Sequence, residues 1–172
     1  MRLKRSEIVS GILLLSFVLL GTGCLFFCIF SSPHPAKDQK YIRDFETHRA
    51  EFERLRIMLQ QDTQLIVVAD WGARTRNGAW LSGSHYDEYM RLLKQVGGGP
   101  ADRAEGEPAD PSITLWGWGW AGNTRHLGIC WLDQAPTNLI PTLDNYYHRR
   151  AYGHPIIAYR HVETNWYLWT DL

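Results

Sequence analysis

With 172 residues, and 18 Lys and Arg set against 18 Asp and Glu, the chain is neutral and has no basic cluster longer than Arg149-Arg150, which excludes the electrostatic footprint of a nucleic-acid binder. Of its three cysteines two lie in the N-terminal apolar run, so the remainder has Cys130 alone and no internal disulfide. Eight Trp, eight Tyr and six Phe supply large apolar areas to a core or to a contact surface.

In chain order, residues 1–7 form a basic tail with Arg2, Lys4 and Arg5, and residues 8–30 carry no charge. As a helix that run spans about 35 Å against a hydrocarbon core of about 30 Å, which predicts a single-pass transmembrane anchor in the lipid bilayer. The positive-inside rule keeps the tail cytoplasmic and places the remainder outside, in a bacterial cell the periplasm. The same residues also look like a bacterial lipoprotein signal ending at residue 23, because Gly21, Thr22 and Gly23 lead into Cys24, which would then carry the lipid. Gly21 stands where Leu is usual in such signals, and apolar Leu25-Phe26-Phe27 follow where polar residues are expected. Residues 31–36, with Pro33 and Pro35, predict an extended stalk.

Residues 37–172 are expected to form one extracytoplasmic α+β domain, two helices packed on a mainly antiparallel sheet of about five strands. Tyr41, Phe45, His48, Phe52, Leu55 and Leu59 recur at steps of three and four, one stripe of an amphipathic helix between Lys37 and Gln61. Gln64 to Ala69 is a β-branched strand, followed by a turn-rich loop through Gly72, Asn77 and Gly78. Ser84 is positioned to cap a second helix from His85 to Val96, burying Tyr86, Tyr89, Met90, Leu93 and Val96 and ending at Gly97. Residues 97–111 lack a large apolar side chain and predict a flexible loop rather than a site. Strands follow at Ser112–Ala121, Arg125–Leu132, Pro155–Glu163 and Asn165–Thr170, with 138–150 open between a short helix and a crossing loop.

The most unusual motif is Trp116-Gly117-Trp118-Gly119-Trp120, because the strand period of two puts three indoles on one face and two glycines on the other. These indoles either form core beneath the first helix or, with Tyr159, Tyr167 and Trp169 where register permits, build an aromatic binding platform. Cys130, between Ile129 and Trp131, reads as a small buried hydrophobe. His126, His148, His154 and His161 lack the spacing of a metal site, and neither a G-x-S-x-G elbow nor a phosphate-binding glycine loop is present. No catalytic residue, metal or cofactor is therefore nominated.

The helix Phe45-x-x-His48-x-x-x-Phe52-Glu53-x-Leu55-x-x-Met58, the helix Tyr86-x-x-Tyr89-x-x-Leu92 and the ending Asn165-Trp166-Tyr167-Leu168-Trp169 resemble small bacterial proteins with an N-terminal anchor or signal. That resemblance implies a bacterial, extracytoplasmic setting and carries no activity. The leading expectation is a membrane-anchored, non-catalytic envelope module binding a protein or polysaccharide. One alternative is a small envelope hydrolase pairing a carboxylate with His126 or His161, and another is an assembly protein acting through its first helix.

Overall fold

The stripe between Lys37 and Gln61 folds as two helices, α1 (Asp38–Thr47) and α2 (Arg49–Gln61), broken at the single residue His48. The His48 N–H still donates to Asp44 O, and its carbonyl accepts from Phe52, so the break bends the stripe without ending it. Phe45 and Phe52 are consequently both fully buried, with ring centroids 5.3 Å apart. The structure, a computed structural model, describes residues 36–79, 81, 83–103, 110–120, 123–144 and 157–171, the side chains of 118–120 and 123 excepted. The expected anchor, the Cys24 signal and most of the Pro-containing stalk lie outside these residues. Among the described residues no helix is long and apolar enough to cross a membrane.

The remaining elements are β1 (Leu65–Ala69), β2 (Gly72–Thr75), α3 (Ser84–Gln95), β3 (Ala101–Arg103), β4 (Pro111–Trp120), β5 (Asn123–Trp131), β6 (Ala158–Glu163) and β7 (Trp166–Thr170). All strands pair antiparallel in one sheet, ordered β2-β1-β3-β4-β5-β7-β6. The α+β expectation therefore holds, but with three helices and seven strands in place of two and about five. The two extra strands, β2 and β3, are short and poor in large apolar residues. They are held by backbone pairing to β1 and β4, and their small Ala73 and Ala101 are buried under the helices. β3 lies inside the stretch expected as a loop.

Two details of the second predicted helix differ and one agrees. Ser84 is the first residue of α3, Gly83 precedes it, and no side-chain cap bond forms. Gly97 does end the helix: at φ +63° it takes the left-handed conformation that costs glycine least, and the Gly98 N–H reaches back to Leu93 O at 2.9 Å.

Directly opposed positions on six of the seven strands, up to Arg160 on β6, run as Ala73, Val68, Ala101, Ile113, Ile129 and Leu168. Opposed residues project to the same face, so this row is one continuous apolar stripe. The main core, which includes Phe45, Phe52, Leu55, Leu59, Tyr89 and Leu93 from the helices, packs on it. Trp166 closes one end, 5.2 Å from Phe45, its indole N–H donating to Glu53 Oε1 at 2.9 Å. Each such large side chain contributes about 1.5–3 kcal/mol on burial.

A smaller cluster of Tyr41, Leu127, Leu143, Ala158 and Leu168 lies beside it. Asp38 ties this corner together. Its carboxylate, 2 % exposed, accepts from Thr142 Oγ1 at 2.8 Å and Leu143 N at 2.9 Å and pairs with Arg160. Residues 138–140 then run along β6, with Tyr159 N donating to Asn138 O and Ile140 N to Tyr159 O. The open question at 138–150 is answered for residues 138–144, which form a crossing loop that covers the edge of β6. Residues 145–150 lie outside the described part.

Candidate functional site

The face turned away from the helices has a different chemistry. Its row of opposed positions, one residue along from the apolar stripe, reads Arg74, Val67, Asp102, Ser112, Cys130, Tyr167 and His161. The next row is Thr114, Gly128, Trp169 and Tyr159, and beyond it His126 opposes Gly117. Asp102, Thr114, His126 and Trp169 thus reach the same side from four strands. There they line a cavity of about 510 Å³ together with Gly99, Pro100, Leu115, Trp116 and Gly117.

Two glycines make room for the cavity's large side chains. A Cβ on Gly117 would meet the His126 ring at 3.2 Å, and one on Gly128 would meet Trp169 Nε1 at 2.6 Å and Ile113 O at 2.6 Å. The imidazole and the indole therefore pack close over the sheet where glycine leaves the backbone bare. The Trp169 N–H is buried against Gly128 without a hydrogen-bond partner among the described residues.

His126 is held from behind by Asp171. Its Nδ1 lies 2.7 Å from Asp171 Oδ2, its backbone N–H donates to Asp171 Oδ1 at 2.5 Å, and its carbonyl accepts from Thr170 Oγ1 at 2.8 Å. In the neutral ring this bond places the proton on Nδ1 and leaves Nε2 as an acceptor. Asp102 stands apart: among the described residues its carboxylate has no hydrogen bond or ion pair, and burial pushes it up to about 6, with His126 opposing. Burial likewise raises the Cys130 thiol, with Asp110 and Asp102 adding to the effect, and the thiol donates to Tyr167 O at 3.6 Å. Cys130 is the buried hydrophobe expected of it.

The expected platform residues divide by register between the two faces of the sheet, and of those described Trp116 and Trp169 both line the cavity. A bulge between Thr114 and Trp116 makes Trp116 oppose Leu127, so that it packs against the smaller cluster as well as bordering the cavity. Trp169, Tyr167 and Tyr159 stand on the other face by register; Tyr167 is buried, and Trp169 borders the cavity. The side chains of Trp118 and Trp120 lie outside the described part, as does Cys24. His161 bonds Thr164 O at 3.0 Å away from the cavity, while His148 and His154 lie outside the described residues.

Sequence reasoning missed Asp102, Thr114 and Asp171, and it set aside Gly99 and Pro100. These last two extend the β3–β4 pairing, Gly99 N donating to Thr114 O at 2.7 Å and Thr114 N to Pro100 O at 2.9 Å. Among the described residues no three His, Cys, Asp or Glu side chains come together as metal ligands. The chain matches no protein-family model, no curated protein and no solved structure.

Proposed function

We propose that the chain is a membrane-anchored, non-catalytic envelope module that holds part of a polysaccharide in the cavity on the helix-free face. The observation that carries this reading is the convergence of an indole, a carboxylate, a hydroxyl and an oriented imidazole on one concavity of about 510 Å³. Cavities of roughly 300–1,000 Å³ with a few convergent polar groups suit a ligand of one or two rings, whereas a protein partner needs a broad surface. The charge-free run at 8–30 supports a site presented outside the membrane.

The test is calorimetric titration of the full chain in detergent with oligomers of glucosamine and N-acetylglucosamine. Thr114→Phe, which fills the cavity floor, should abolish binding while the dispersion of the NMR spectrum is kept. Undiminished binding by that variant overturns the reading.

A hydrolase is the second reading, favoured by the His126 Nδ1–Asp171 contact of 2.7 Å, which orients an imidazole as a general base requires. It expects the same oligomers to be cleaved and His126→Ala to stop cleavage. Binding without any product removes this reading and leaves the first. The assembly reading has less to stand on, because Phe45 and Phe52 of the first stripe are spent on the chain's own core.

A further inference from the structure

We infer that the group this cavity recognises is a primary ammonium, seated between the Asp102 carboxylate, His126 Nε2 and the Trp169 indole. The inference rests on the proposed binding role of the cavity and names the ligand's chemistry. Three observations point the same way. First, none of the described residues lining the cavity is Lys or Arg, so His126 is the one base of that lining that faces Asp102. Second, Asp102 and His126 present acceptors: the carboxylate accepts only, and Nε2 accepts while Nδ1–H is committed to Asp171, whereas the unpaired Trp169 N–H is buried against Gly128. Third, the half-buried Asp102 carboxylate has no hydrogen bond or ion pair among the described residues, which leaves a partly desolvated charge that an incoming cation would compensate.

An anion would face the Asp102 carboxylate and the Nε2 acceptor. A neutral hydroxyl would satisfy an acceptor but leave the carboxylate's desolvation unpaid. A primary ammonium carries three donors and a charge, and an indole face adds cation–π attraction. Amino sugars and lysine side chains both present this group.

Seating a cation favours the ionised carboxylate, so binding below about pH 6 releases a proton. The titratable groups around Asp102 are His126, which shares the cavity lining, and Cys130, two strands away in the same row, on which Asp110 also acts.

The experiment is calorimetric titration of the full chain in detergent with glucosamine, glucose and Nα-acetyl-lysine amide. NMR of histidine-labelled protein checks that the His126 ring reports the binding. At about pH 7 one or both amines should bind at least about tenfold more tightly than glucose, and whichever binds identifies the source of the ammonium. Lowering the pH from about 7 to about 5 should weaken amine binding about tenfold and leave glucose unchanged. Asp102→Asn should erase the preference, and the pH dependence of the unaltered chain tests the same point without a variant. Glucose binding as tightly as the amines, or a preference that survives Asp102→Asn, overturns the ammonium and leaves the cavity reading standing. Binding by none of the three overturns both.

Discussion

Two neighbouring rows of the same sheet, one residue out of phase, have opposite chemistry. Ala73, Val68, Ala101, Ile113, Ile129 and Leu168 form an apolar stripe beneath three helices, whereas Arg74, Val67, Asp102, Ser112, Cys130, Tyr167 and His161 mix charge, hydroxyl, thiol and aromatic. Strand periodicity of two allows this division: one row packs beneath the helices, and the next, though Ser112, Cys130 and Tyr167 are buried in it, brings Asp102 to the cavity. What the contrast teaches is where to expect each kind of mutational effect. On the helix side, truncation should cost stability. On the far side, changes to the cavity-lining polar groups Asp102 and Thr114 should alter binding more than stability.

The largest effect is expected from Phe52→Ala. Phe52 is fully buried, 5.3 Å from Phe45 and 6.2 Å from Trp166, so the cavity left behind should cost about 3–5 kcal/mol in urea unfolding of the full chain. A loss below about 1 kcal/mol would mean that the helix side is not the folding side. Next comes Asp38→Asn, which leaves Arg160 facing a neutral amide where it had a buried carboxylate, at a cost of about 2–4 kcal/mol. Burial opposes ionisation of Asp38, but the bonds from Arg160, Leu143 and Thr142 outweigh it and hold the carboxyl below its ordinary value. Its contribution is therefore fully present above the ordinary aspartate range and is lost as pH falls through the lowered folded value. Unfolding midpoints of the unaltered chain and of Asp38→Asn should accordingly converge in acid.

The stripe under the helices was legible in the sequence because Phe45, Phe52, Leu55 and Leu59 keep helical spacing and Val68 and Ile113 sit in β-branched runs. β3 was not legible, since Ala101-Asp102-Arg103 has no apolar alternation and exists as a strand only through its neighbours. The site was hidden for two further reasons. Asp171 meets His126 across 45 residues only because β7 inserts between β5 and β6, an order that local pattern does not encode. The extra residue at Leu115 shifts the phase of β4, so counting by twos from Trp116 assigns no face until the bulge is known.

Between the two rows, Gly128→Ala probes the floor they share. Its new Cβ would lie 2.6 Å from Ile113 O, a backbone atom that cannot swing aside, so a cost of about 1–3 kcal/mol is expected together with displacement of Trp169. If unfolding shows no loss, the close packing of Trp169 on bare backbone is not what shapes the cavity.

The smallest effect is also the one of opposite sign. Asp102 is the reverse of Asp38: burial raises its folded value to about 6, so the ionised carboxylate costs stability that a neutral side chain would not. The sign follows from linkage. Below the ordinary aspartate range Asp102 is protonated in both states and Asp102→Asn changes little. As pH rises the unfolded chain loses its proton first, the folded state pays for holding its own, and above about pH 6 the penalty is complete. Asp102→Asn should then stabilise the ligand-free chain by about 1–2 kcal/mol near pH 7.5, while the same change removes binding of an ammonium ligand. Urea unfolding at about pH 4 and about pH 7.5 measures it. A variant less stable than the parent at both values would make Asp102 part of the scaffold, and the division between the two rows would not hold at its centre.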